Sequence, residues 1–299
     1  MVAALLSTLA SPSSRAQART DFTATKPNRE FTVQTADGVC LSAQEWGNPN
    51  GPTIILIHGF LQSHLAWWKQ VTDPALARRF RMITFDLPGH GASDKPWDMA
   101  LYGDGAKWGN ALAAMLDAAG PQKAVVVGWS YGTRVTADYL LTHGDGRLAG
   151  INFVGPALSG DAAMLGPGMK LLAGALVDDL AQNLKATRDF NRICFVEAPS
   201  EADLDQLTAI SMAVPIKVRR WARRPAPYEP ALKAITVATL VTHGTLDQVC
   251  LLALGQYVAR TVPNAQASYY EGVGHSLFWE DAARFNAELA AFAGKALAH

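Results

Sequence analysis

A serine set between glycines, Gly128-Trp129-Ser130-Tyr131-Gly132, follows directly on the apolar run Ala124-Val125-Val126-Val127. A short β-branched run reads as a buried strand, and Thr133 to Leu141 reads as a helix. A serine at such a junction needs unusual dihedrals, and small residues two before and two after it keep the turn from clashing with its neighbours. The turn holds a hydroxyl at its tip, with the first amides of the helix pointing the same way. That is how a nucleophile is presented. A serine hydroxyl is weak at neutral pH and needs a base, usually histidine, with a carboxylate to orient the imidazole.

The chain has seven histidines, so the base is chosen by position. His275 lies in Gly272-Val273-Gly274-His275-Ser276, a glycine-rich loop after the last strand and before the last helix. His58 and His243 each precede a glycine at a strand end, where they face the site or serve the turn. Asp247, in Thr242-His243-Gly244-Thr245-Leu246-Asp247, follows a strand directly and keeps the order Ser, Asp, His along the chain. Asp86 also follows a strand, but it reads as a turn aspartate that caps the loop Leu87 to Ser93. Two N–H donors for a developing oxyanion are expected from the amides of Phe60 and Tyr131. Trp129, His58 and Trp67 are candidates for the substrate pocket, with core packing as the competing role for Trp67.

The elements that must position these residues alternate from about residue 31 onward. Phe31 to Thr35 and Val39 to Trp46 flank the hairpin signal Asp37-Gly38. Strands follow at Ile54 to Ile57, Arg81 to Asp86, the run before Ser130, Leu148 to Val154, Thr236 to Thr242 and Ala267 to Tyr270. Helices are expected at Asp104 to Ala119, after Ser130, near Leu251 to Arg260 and at Phe278 to Ala298. This pattern predicts an α/β fold with a mostly parallel, doubly wound sheet, whose ligands bind at the carboxyl ends of the strands. Residues 156–230 break the rhythm with helical stretches at Met169 to Ala186, Glu201 to Ala213 and Ile216 to Arg223. They read as a helical cap inserted after the sixth strand, with residues 31–155 and 231–299 forming the core.

The 299 residues carry 26 basic and 26 acidic side chains, so no global field attracts nucleic acid or an anionic membrane. The basic cluster Lys217 to Arg224 reads as a solvated helix face with Val218 and Trp221 turned inward. Cys40, Cys194 and Cys250 are too scattered for a disulfide framework or a zinc site, and no metal site is expected. No stretch approaches the ~20 apolar residues of a membrane span. Residues 1–30 read as a flexible leader. Val2 to Ala10 is apolar and Ala16-Gln17-Ala18 is similar to a signal-peptidase site, yet no basic residue precedes the run. A cytoplasmic protein is the reading, with export the alternative if residues 1–18 act as a signal.

Taken together, His58-Gly59-Phe60, Asp86-Leu87-Pro88-Gly89-His90-Gly91-Ala92-Ser93, the Ser130 pentapeptide, His243-Gly244-Thr245-Leu246-Asp247 and Gly274-His275 resemble the α/β-hydrolase superfamily from about residue 31 to the end. The resemblance is to its capped serine esterase and cofactor-free haloperoxidase-like branch. It implies ester hydrolysis through an acyl-enzyme on small to medium apolar or aromatic esters, with no cofactor. The carbon–carbon hydrolases and peroxide-dependent perhydrolases or haloperoxidases of the fold use the same three residues and stand as alternatives. A non-catalytic small-molecule receptor is a further one. Ser130 argues against the members that use an aspartate nucleophile.

Overall fold

The computed structural model describes residues 19–298. The signal-like stretch 1–18 lies outside the described residues. Eight strands form one sheet in the order β1-β2-β4-β3-β5-β6-β7-β8. They are β1 (Arg29–Gln34), β2 (Cys40–Gly47), β3 (Thr53–Ile57), β4 (Arg81–Phe85), β5 (Ala124–Trp129), β6 (Leu148–Val154), β7 (Ala238–Gly244) and β8 (Gln266–Tyr270). The hairpin β1–β2 turns at Gly38, whose φ of 79° is the left-handed conformation the Asp37-Gly38 signal supplies. β2 joins β4 antiparallel, and all pairings from β4 to β8 are parallel.

Side chains along β3 alternate between two cores. Ile55 and Ile57 pack with Val126, Leu112 and Val135 on one face. Ile54 and Leu56 pack with Val125, Trp67, Phe278 and Phe285 on the other. A strand covered on both faces must be apolar throughout, which is why β3 and β5 are unbroken apolar runs. The chain moves from β3 outward to β4, then crosses back to place β5 on the other side of β3. The loops leaving β3 and β5 therefore diverge, and the crevice between them is where such sheets bind ligands.

Between β6 and β7 the chain forms a short 3-10 helix, Ala162–Met164, and five α-helices, Gly168–Gly174, Leu180–Ile193, Glu201–Met212, Ile216–Trp221 and Glu229–Lys233. The single helix predicted over Met169 to Ala186 is thus two. Asp179 accepts from the Gln182 amide and starts the second helix with a cap, ending the first. The predicted terminal helix is likewise split, because Asp281 caps Ala282–Ala296. The leader is not loose throughout. The Thr20 amide donates to Asp203 Oδ1 at 2.7 Å, and the Phe22 ring meets Trp68 edge-on at 5.6 Å.

The basic cluster departs from a solvated face. Val218 is buried as expected, but so is Arg219, only 2% exposed. Its guanidinium donates to the carbonyls of Val214, Ser211 and Ala175 and to Asn183 Oδ1, at 2.8 to 3.1 Å. No carboxylate is among these partners, and burial pulls its pKa down to about 10. Arg224 is the second exception, held against Asp138 Oδ2 at 2.6 Å. An arginine with enough carbonyl acceptors can be buried, and spacing alone does not reveal those acceptors.

Candidate active site

Ser130 sits between β5 and the helix Tyr131–His143 with φ 51° and ψ −113°. It is one of three non-glycine residues with positive φ among the described residues. The flanking glycines are needed. A Cβ on Gly128 would lie 2.7 Å from the Gly132 carbonyl oxygen, and one on Gly132 would collide with the Ile57 carbonyl of β3. Gly59 faces the same turn, since its Cβ would come 3.2 Å from that of Ser130. The turn thus presses against the first loop beyond β3.

His275, on the loop after β8, places Nδ1 2.7 Å from Asp247 Oδ2. Asp247 Oδ1 accepts from the amides of Val249 and Cys250 at 2.7 and 2.9 Å. Burial opposes the charge on Asp247, but His275 and His243 outweigh it and hold the carboxyl well below the usual range. The carboxylate fixes the proton on Nδ1, leaving Nε2 as the basic nitrogen. That Nε2 is buried and has no hydrogen-bond partner among the described residues. The Trp129 indole donates to the His275 carbonyl at 3.0 Å and braces the loop.

His243 stands closer to this pair than a turn role requires. Its Nε2 lies 3.2 Å from Asp247 Oδ2 and 2.8 Å from the Cys250 carbonyl, which can only accept. His243 therefore carries its proton on Nε2 and donates it to the Cys250 carbonyl, with the same ring edge beside the Asp247 carboxylate. The sequence signal was its i, i+4 spacing to Asp247.

The amides of Phe60 and Tyr131 belong to residues that line the same cavity as Ser130. Neither donates to any group among the described residues, while those of Ser130, Leu61 and Gln62 do. The Phe60 loop is held by buried histidines. His58 Nδ1 bonds the Gly59 carbonyl at 2.8 Å, and its Nε2 accepts from the Leu87 amide at 3.0 Å. His90 bonds Pro88 through Nδ1 and accepts the Leu61 amide at Nε2. Burial lowers the pKa of His58 to about 4 and of His90 to about 3, which keeps both neutral as these acceptor roles demand. Asp86 accepts from the His64 and Ala92 amides and from His64 Nδ1, which is the capping role expected of it.

A cavity of about 730 Å³ opens over Ser130, walled by Phe60, Tyr131 and residues from 157–226 and 249–250. None of the three predicted pocket side chains lines it. His58 is fully buried in the loop network just described. Trp67 is fully buried too, its ring 4.5 Å from Phe278 in the second core. Trp129 borders a separate cavity of about 30 Å³ with Phe22, Cys194 and Phe278. The wall comes instead from the inserted segment, whose facing no short motif encodes, including Leu165 in a loop and Met169, Leu172 and Phe190 on helices. Among the described residues no three His, Cys, Asp or Glu side chains cluster to hold a metal, and no helix is long and apolar enough to cross a membrane.

Residues 52–204 match the α/β-hydrolase fold family, and the chain belongs to it. It is similar to a crystal structure assigned as an aryl esterase from Burkholderia cenocepacia, with 33% identity, TM-score 0.85, and 91% of this chain and 100% of that one covered. The esterase RhEst1 from Rhodococcus sp. ECU1013 is 31% identical, with TM-score 0.81 and 89% and 98% covered. The non-heme chloroperoxidase CPO-A1 of Kitasatospora aureofaciens is 28% identical over 87% of this chain and 98% of its own length. A match to the probable oxidoreductase EphD of Mycobacterium tuberculosis, 43% identical, covers 23% of this chain and 12% of that protein's length.

Proposed function

We propose that the protein is a serine carboxylic ester hydrolase, with Ser130 as nucleophile, His275 as base and Asp247 as its orienting carboxylate. The observation that carries this reading is the strained Ser130 turn together with the His275–Asp247 pair, whose Nε2 is unpartnered. Ser130 attacks the ester carbonyl as Nε2 takes its proton, and Asp247 stabilises the imidazolium. The free amides of Phe60 and Tyr131 receive the oxyanion. His275 then protonates the leaving alcohol and activates the water that cleaves the acyl-enzyme. Residues 156–230 act as the cap, supported by the many wall residues they contribute to the cavity. Two solved structures above 30% identity are esterases by name, which favours esters as the substrate class.

A p-nitrophenyl ester series from acetate to decanoate, run on wild type and Ser130→Ala, tests this. The expected outcome is loss of turnover on the order of 10⁴ or more in the variant, with a nearly unchanged melting curve. Retained hydrolysis by Ser130→Ala refutes the mechanism. The chloroperoxidase relative supports a second reading, peracid formation from the same acyl-enzyme, and a peroxide-dependent halogenation assay separates the two.

A further inference from the structure

Four arginines, Arg134, Arg220, Arg223 and Arg224, stand in the wall of the Ser130 cavity, and no aspartate or glutamate lines it. Arg224 is neutralised by Asp138. Arg134 bonds the carbonyls of Arg224 and Pro225 through Nη2 and approaches the Tyr228 hydroxyl through Nε, neutral partners that do not offset its charge. Arg220 reaches Asp178 Oδ1 at 2.9 Å, but that aspartate is 83% exposed and the pair is screened by water. Arg223 is exposed, and among the described residues its guanidinium has neither an ion pair nor a hydrogen bond. The remaining wall is largely apolar, formed by Phe60, Leu165, Met169, Leu172, Phe190 and Val249. A charge that only keeps a surface wet has no need to line a cavity. Cations collected in one without matching anions raise its potential and favour an anionic guest. Guanidinium matches a carboxylate in geometry as well as in charge.

We infer that the natural substrate is an ester with an apolar body ending in a carboxylate, which Arg223 and Arg220 hold while the ester carbonyl meets Ser130. The inference rests on the ester-hydrolase reading and narrows its substrate class. Its test compares two esters of equal length and leaving group, p-nitrophenyl octanoate and the mono-p-nitrophenyl ester of suberic acid. Wild type is expected to favour the charged ester in kcat/KM, mostly through KM, and to lose that preference as salt rises. In R220Q/R223Q the selectivity ratio should fall about tenfold, as loss of charge-assisted hydrogen bonds implies. An unchanged ratio, or a wild-type preference for octanoate, overturns the inference. Calorimetric binding of suberate to Ser130→Ala, with and without R220Q/R223Q, separates the two readings. Arginine-dependent binding, when wild type cleaves neither ester, upholds the anion site and refutes the esterase. Ester cleavage without arginine-dependent binding does the reverse.

Discussion

Asp247 Oδ2 faces two imidazoles, His275 at 2.7 Å and His243 at 3.2 Å, so in the proposed mechanism His243 positions the carboxylate that orients the base. Replacing His243 by Phe removes its bond to the Cys250 carbonyl and a polar neighbour of the buried carboxylate, worth roughly 10- to 100-fold in kcat. Steady-state kinetics should show that loss with little change in KM. A change confined to KM would mean that His243 serves the pocket rather than the base. Gly132 gives a second test at this scale. Gly132→Ala drives a methyl into the Ile57 carbonyl, which should cost about 1–3 kcal/mol in urea melts and move Ser130 as well. The strained Ser130 turn and the His275–Asp247 pair were legible in the sequence because each residue lies in the loop after a strand, where a motif fixes backbone position. His58 and Trp67 were misassigned for the same reason, since proximity to a motif says nothing about which way a side chain points. His58 turns back to bond its own loop, and Trp67 turns into the core.

Among the elements, the sheet was readable almost to the residue because β3, β5 and β6 are apolar on both faces. Of the inserted helices only the rough extent was readable, since three stretches were expected and five α-helices are found. Their ends are set by single residues such as Asp179 and Ser200, whose capping role looks like any other surface polar group in one sequence. What binds the segment internally was hidden altogether, because Arg219 appears within a run of basic residues. Its guanidinium joins the helices Leu180–Ile193, Glu201–Met212 and Ile216–Trp221 through carbonyl and amide oxygens. Arg219→Met strands those acceptors and should cost about 3 kcal/mol. Limited proteolysis should then find the connection at 175–179 first. Equal resistance in the variant would show that the apolar contacts of the segment suffice.

For the molecule as a whole, acid stability follows from its buried titratable groups. His58 and His90 have folded pKa values of about 4 and about 3 against an ordinary 6.5, so the unfolded chain binds more protons between those limits. Their contribution is fully present above 6.5 and is lost as pH falls toward 4. Asp247 and Asp86, both held low, add a further loss below the ordinary carboxylate range. Urea midpoints measured from pH 7 to 4 should decline over that whole span, and a flat profile down to pH 5 would contradict neutral burial of the two histidines. The inserted segment is tied to every loop that surrounds Ser130. Gly166 and Gly168 donate to the carbonyls of Val249 and Gln248 beside Asp247, Ser276 beside His275 donates to Cys194, and Gln62 beyond Phe60 bonds Asn191 and Ser211. Such a segment works as a keystone rather than a door. Lifting it would break those bonds to the loops around Ser130, so turnover should begin without a lag and without activation at an oil–water interface.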